Sequence, residues 1–366
     1  MKHYMPVKLF TGEGCIAGNA PAMARLGKKA LIVCSPSAAK KSGALDDALS
    51  ALRGQGIGCS IFDEITPNPS VNLCIRAGEA ARRAGADFIF GIGGGSAMDA
   101  AKAIAVFASN EGLDEDGFYQ KHWNAQPLPI ALAGTTAGTG SEVTMVSVLT
   151  DKAARKHSIH DERLYAAIAF GDPRYLLFMP QALTASTGID ALSHCIESYF
   201  SKKADALSRL HAVQGARLIL KPLARALDGA LGKKDFSDLY LGSILGGLAI
   251  NTTGTCFPHN LGYYLTERFQ LPHGAASAAF LGDLLAFEET ASPDLTKALY
   301  ESLDTDGQAL SDLKDRAIDL KGIALSADEL EAILPRWQDN SSVKNTLGDI
   351  DINRIRKTLS KFVREV

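Results

Sequence analysis

Residues 87–108, DFIFGIGGGSAMDAAKAIAVFA, run from an apolar strand through Gly91, Gly93, Gly94, Gly95 and Ser96 straight into a helix. A strand that turns on glycines and re-emerges as a helix is the opening half of a βαβ unit, and such units build parallel sheets. The junction then lies at the carboxyl end of a strand. There, free backbone N–H groups and the helix dipole favour a phosphate, and glycines let it approach closely. The pattern is neither the G-x-G-x-x-G dinucleotide fingerprint, because Ser96 stands at the third glycine position, nor a Walker loop, because no Gly-Lys-Ser/Thr follows. A tight turn with close strand–helix packing would leave the same signature.

The alternation extends to about residue 180. Strands are expected at Ala30–Cys34, Cys59–Ile65, Phe88–Ile92, Pro129–Ala133 and Ala166–Phe170, with helices near 40–54, 70–84 and 96–108. After Pro180 the strand pattern stops and only helices are expected, one of them opened by a capping box at Ser326 and Glu329. The reading is therefore an α/β domain with a parallel sheet over 1–180 and an all-helical domain over 181–366. The stretch LYLGSILGGLAI, 239–250, reads as a buried, closely packed helix; it is too short and glycine-rich for a membrane span.

Charge excludes further classes. With 38 Lys plus Arg against 41 Asp plus Glu, the net charge of −3 provides no field for nucleic acid or anionic lipid. The basic residues of the last helix, roughly 351–364, read as a solvated face. Cys15, Cys34, Cys59, Cys74, Cys195 and Cys256 lack paired spacing and read as reduced small hydrophobes. MKHYMPVKLF lacks the apolar core of a secretory signal, so a cytoplasmic location is expected.

A second polar turn, AGTTAGTGSEVT at 133–144, follows the strand-like LPIALA. Thr135, Thr136, Thr139 and Ser141 place hydroxyls beside flexible backbone, suited to a ribose or pyrophosphate, although a hydroxyl-rich surface loop looks alike. The strand KKALIVC ends in Ser35-Pro36-Ser37, with Lys40 beyond. No carboxylate stands there to bind a ribose 2′-OH and repel a 2′-phosphate, so NADP(H) is expected to be favoured over NAD(H), with Ser37 and Lys40 holding the extra phosphate.

Metal-ligand spacing occurs in TGIDALSHCIESYF. Asp190 and His194 are four apart on an expected helix and share a face, with Glu197 three further on, either supporting a ligand from behind or forming an ion pair. His259 and His273 each follow a proline at a helix start, which fixes the backbone entry and leaves the imidazole free to face a cleft. Three imidazoles and a carboxylate suit Fe²⁺ or Zn²⁺ and can leave a coordination position open. The remaining histidines, 3, 122, 157, 160 and 211, lack this pattern and read as surface or satisfied residues.

GGGSAMDAAK (93–102), TTAGTGSE (135–142), GDP (171–173), the D-A-x-x-H-x-x-E element (190–197) and the His259–His273 pair ending in PHG together resemble the iron-containing alcohol dehydrogenase family, of the dehydroquinate synthase-like group. The resemblance implies a dehydroquinate synthase-like fold, in which 1–180 is a Rossmann-like dinucleotide-binding domain and 181–366 a helical metal-binding and substrate domain, with cofactor and metal in the cleft between them. It implies metal ligation by Asp190, His194, His259 and His273, and a pyrophosphate turn at Gly93–Ser96 with Asp99 just inside the helix. It further puts Asn68 near the adenosine end and Lys156 near the nicotinamide. Tyr263 stands where many members carry a histidine, and it either donates as a phenol or shapes the pocket. The implied activity is hydride transfer between NAD(P)(H) and a small primary alcohol or aldehyde, in a homodimer or larger assembly. The alternatives are a dehydroquinate synthase-type lyase that uses the dinucleotide transiently, and a noncatalytic metal- or nucleotide-binding scaffold.

Overall fold

A computed structural model describes residues 2–364. Six parallel strands form the main sheet: β1 (Lys8–Thr11), β2 (Lys29–Cys34), β3 (Gly58–Phe62), β4 (Phe88–Gly93), β5 (Ile130–Gly134) and β8 (Ile168–Gly171). Their order is β1-β8-β5-β4-β2-β3. An antiparallel hairpin, β6 (Val146–Thr150) with β7 (Lys156–His160), stands apart from it. Period-two alternation divides the strands between two apolar cores. Leu31, Val33, Ile89 and Leu132 face the core that includes the helices Val71–Ala84 and Gly95–Ser109, whereas Ile32, Phe88, Phe90 and Ala131 face the one under the helix Ala44–Gly54.

The chain leaves β2 for the edge strand β3 and returns on the other side of β2 as β4, so the winding reverses between β2 and β4. Open α/β sheets offer their ligand crevice at such a reversal, beyond the carboxyl ends of the strands. Gly93 of β4 pairs with Gly134 of β5, which sets the glycine turn and the threonine turn side by side on that edge.

From Gln181 onward the described residues of the regular elements are helical. The helices Gln181–Tyr199, Ala206–Leu227, Lys233–Thr253 and Phe257–Phe269 share a third core, including Ile189, Leu192, Ile219, Leu239, Ile244 and Leu261. The stretch 239–250 is part of this packing, and no described helix is long and apolar enough to cross a membrane.

Several expectations need correction. β1 and the β6–β7 hairpin were not foreseen, and β3 ends at Phe62, short of Ile65. The expected helix near 40–54 is two pieces, Ala38–Lys41 and Ala44–Gly54, separated at Gly43, which adopts φ +80°. The capping box is half made: Ser326 accepts from the Glu329 N–H, but the Glu329 carboxylate turns to Tyr264 and Arg268. Cys59 is exposed on the edge strand while the other five cysteines are buried, and all six are free thiols. In the last helix, Ile352–Ser360, Arg356 pairs with Glu331, and just beyond it Lys361 reaches Asp283. His211 is half-buried, with its Nδ1 buried and without a partner.

Candidate metal and cofactor site

Asp190 and His194 lie one turn apart near the middle of the helix Gln181–Tyr199, and both are buried. His259 sits in the first turn of Phe257–Phe269, and His273 opens the short helix His273–Ala278 after Pro272. Gly274 brings that helix start against the first helix. A Cβ there would lie 2.0 Å from the Ser186 carbonyl oxygen and 2.9 Å from Asp190 Cβ, so only glycine permits the approach.

One donor atom each from Asp190, His259 and His273 lies within 4.8 Å of the others. His259 Nε2 is 3.4 Å and His273 Nε2 3.9 Å from Asp190 Oδ1. His194 adjoins this trio without belonging to it: its ring stacks on His259 with centroids 4.5 Å apart, and its Nδ1 is 3.3 Å from the Gly138 carbonyl oxygen. Behind His259, Glu197 Oε1 accepts from Nδ1 at 2.5 Å, and Glu197 Oε2 accepts from the Cys256 N–H at 2.8 Å. This orients the imidazole so that Nε2 faces Asp190, the arrangement that outer carboxylates impose on metal-binding histidines.

Asp190 Oδ1 and His259 Nε2 are buried and make no hydrogen bond. Such orphaned atoms are costly unless a cation satisfies them, and a buried set of one carboxylate and imidazoles fits a divalent transition metal. The electrostatics agree. Burial opposes ionisation of Asp190, but His194, His273 and His259 outweigh it and hold the carboxyl below the usual carboxylate range. Burial lowers His194 to about 4 and, with the Lys156 ammonium nearby, pushes His273 well down, so both are neutral imidazoles. His259 behaves oppositely: burial is overcome by Glu197 and Asp190, which raise it to about 10.

Beside this group stand Lys156, at the start of β7, and Tyr263. The Lys156 ammonium lies 5.3 Å from the centre of the Tyr263 ring, which is tilted against His273 at 5.6 Å between centroids. Burial lowers Lys156 to about 8 and raises the Tyr263 phenol, which therefore stays protonated near neutrality. Arg268, the basic residue nearest in sequence to these histidines, turns away to Glu329; Lys156 arrives instead from the unforeseen hairpin.

The cofactor turns abut. A Cβ on Gly94 would lie 3.0 Å from Thr136 Oγ1, and one on Gly95 2.6 Å from Thr139 Cγ2. No side chain caps the N-terminus of Gly95–Ser109, which leaves its first N–H groups, at Gly95 and Ser96, for an anion. Ser35 Oγ and Thr135 Oγ1 are buried without partners on this same edge, hydroxyls suited to a dinucleotide. Ser141 and Asp99 are differently engaged: Ser141 Oγ donates to Asp99 Oδ1 at 2.6 Å and accepts from Lys102 Nζ at 2.7 Å. Ser37 and Lys40 are exposed at the short helix after β2. Asn68 occupies an exposed turn at φ +53°, its carbonyl accepting from Thr150 Oγ1 at 3.0 Å. Lys102, quoted in the sequence only as the last residue of GGGSAMDAAK, was given no role there.

Two family models cover most of the chain: iron-containing alcohol dehydrogenase over residues 6–173, and the C-terminal part of the Fe-containing alcohol dehydrogenase family over 184–326. A 1,3-propanediol dehydrogenase of Citrobacter freundii is 35% identical over 307 residues, 82% of this chain and 79% of that protein. An NAD-dependent methanol dehydrogenase of Bacillus methanolicus is 27% identical over 350 residues, covering 95% and 89%. The crystal structure of an iron-containing alcohol dehydrogenase superposes with a TM-score of 0.92 at 33% identity, covering 98% of each chain.

Proposed function

The chain belongs to the iron-containing alcohol dehydrogenase family, and we propose from that premise that its metal-dependent alcohol dehydrogenase activity interconverts small primary alcohols and aldehydes. The observation that carries the reading is the convergence of Asp190 and His259, whose facing donor atoms are buried and unsatisfied, with the half-buried His273 beside Lys156. Asp190, His194, His259 and His273 would hold the cation, Fe²⁺ or Zn²⁺; His194 joins the other three because it stands one turn from Asp190 with its ring beside His259. When bound, a divalent cation supplies Lewis acidity to the substrate oxygen, and a nicotinamide dinucleotide accepts or releases the hydride.

The chain's own residues do the rest. Glu197 fixes the tautomer of His259 by accepting from Nδ1. The N–H groups at Gly95 and Ser96, with the glycines before them, receive the pyrophosphate, and Thr135, Thr136 and Thr139 the sugar hydroxyls. Lys156 holds a positive charge toward the nicotinamide side, and its lowered affinity for its proton lets it exchange one near neutral pH. Tyr263 shapes the pocket, since burial raises its phenol and makes it a poor proton donor. Asn68 lies toward the adenosine end. NADP(H) is favoured over NAD(H) because β2 ends in serines rather than a carboxylate, with Ser37 and Lys40 available to a 2′-phosphate. We further propose an α/β domain over 1–180 and a helical domain over 181–366, a cytoplasmic location and a homodimer or larger homo-oligomer.

The test is an anaerobic assay of demetallated protein restored with Fe²⁺ or Zn²⁺ and given a short aliphatic aldehyde with NADPH or NADH. The expected result is metal-dependent net oxidation of the dinucleotide, faster with NADPH. Turnover without net change in dinucleotide absorbance would replace this reading with the lyase, and faster oxidation of NADH would overturn the cofactor choice.

A further inference from the structure

The helix Phe257–Phe269 carries His259, Tyr263 and Glu267 at i, i+4 and i+8, so all three lie along one face over about 12 Å of helix. His259 is a proposed metal ligand and Tyr263 lies against His273. Glu267 has a different task. Its side chain is only 11% exposed. Oε1 accepts from the Lys156 backbone N–H at 2.9 Å, and Oε2 accepts from Arg336 Nη2 at 2.7 Å. Arg336 is itself held, its guanidinium 5.3 Å from the centre of the Tyr264 ring, and the adjoining Trp337 Nε1 donates to Asn260 Oδ1 at 3.0 Å. The segment that orients Glu267 is thus fixed to this helix in its first turn as well as its last.

Lys156 lies in a hairpin that pairs with no strand of the main sheet. On the α/β side the hairpin is tied through β6, where the Val148 and Thr150 N–H groups reach Asp99 and the Pro69 carbonyl. Lys156 begins the return strand, beyond a tip whose ion pair, Lys152 with Asp116, is more than half exposed on both sides and contributes little. Glu267 supplies what the tip lacks, a charge-assisted, partly buried bond to the backbone of Lys156 itself. It takes the N–H and leaves the ammonium free. That ammonium stands over the Tyr263 ring and has no acceptor among the described residues. A long side chain is aimed only as well as its backbone is held, and a misplacement of about 1 Å at a reaction site can cost about 100-fold. We infer that Glu267 is a positioning residue: by anchoring the Lys156 backbone to the helix that carries His259, it sets where the Lys156 ammonium stands relative to the metal cluster. The inference rests on the proposal that Lys156 serves the nicotinamide side of a dehydrogenase site.

The experiment is a double-mutant cycle of E267A with K156A, with E267Q as the conservative variant. It reads kcat/KM for aldehyde reduction by the metal-restored protein and, by mass spectrometry, hydrogen exchange of the peptide 151–160 in the same protein without dinucleotide or aldehyde. Exchange needs no turnover, so a wild type that reduces no aldehyde defeats the functional reading, while exchange still judges the anchor. E267A should speed exchange in this peptide and lower kcat/KM about tenfold, the equivalent of one charge-assisted hydrogen bond. E267Q, whose amide oxygen still accepts from the Lys156 N–H, should recover most of both. In the K156A background E267A should cost nothing further, because the two residues act as one. Equal losses in both backgrounds overturn the inference. So does a lowered melting temperature with exchange and kcat/KM unchanged, or a K156A variant with wild-type kcat/KM. Should E267A not fold, E267D takes its place, its carboxylate one methylene short of the N–H: faster exchange with a loss of kcat/KM that depends on Lys156 supports the inference, and wild-type values overturn it.

Discussion

Glu197 shows most clearly how a single residue governs this site. Its carboxylate sits behind His259, accepting from Nδ1, so its effect on the metal passes through the ring. E197Q should therefore keep the fold and lose about 10- to 100-fold in metal affinity, read by competition with a chelating dye. Proton competition gives a second expectation. Without a cation His259 holds its proton up to about 10, because Glu197 and Asp190 outweigh burial, and a cation at Nε2 must displace that proton. The fraction of His259 already deprotonated grows as pH rises toward that value, so apparent Zn²⁺ affinity should climb over roughly pH 7 to 9, with a shallower climb in E197Q. A pH-independent affinity over that range would show that Glu197 and Asp190 do not hold a proton on His259. At this scale the sequence was informative where spacing carries geometry: Asp190, His194 and Glu197 share a helix face, so their i, i+4 and i, i+3 relations translate directly into space. It was silent on Lys102 and on the orphaned hydroxyl of Ser35, because burial of one side chain depends on segments distant in the chain.

Helix starts and strand ends do the positioning. The helix His273–Ala278 is only as close to Asp190 as Gly274 allows, and a methyl group there would collide with the Ser186 carbonyl. G274A should displace His273, destabilise the protein by about 1–3 kcal/mol and empty the metal site; a melting curve and metal analysis report both effects. On the cofactor side, G95A would drive a Cβ into Thr139 and should weaken dinucleotide binding while sparing metal content. The elements that sequence reasoning located share a strong apolar signal: β2, β4, β5 and β8 are buried over all or nearly all their length. β1 is four residues with exposed ends, and β7, KHSIH, is largely polar, so neither stands out from a loop. That omission mattered, since β7 is the element that delivers Lys156. The β-branched run VSVLT of β6, facing the short polar run KHSIH across the charged turn at 151–155, was the available signal for the hairpin.

Over the whole molecule, the three apolar cores contain none of the proposed ligands, so the fold does not depend on the metal as a zinc finger's does. Chelation should abolish turnover while leaving the circular dichroism spectrum native. The melting temperature should fall by only a few degrees, because saturation at a hundred times the dissociation constant contributes about 2.7 kcal/mol. Topology explains why distant motifs converge: the reversal between β2 and β4 and the pairing of β4 with β5 set both cofactor turns on one edge, and the Gly138 carbonyl joins that edge to His194. The α/β-then-helical order was legible from periodicity, whereas convergence of residues 190, 259 and 273 on one point became visible only in the folded chain, apart from what family resemblance implied. The most direct measurement is a metal titration of wild type, D190A, H259A and H273A under anaerobic conditions. The account predicts one tightly bound cation per wild-type chain and loss of that binding in each variant, with aldehyde reduction lost in step. A variant that retains the cation at wild-type affinity, or reduces aldehyde at full rate without it, would contradict the assignment of this cluster as the reaction centre.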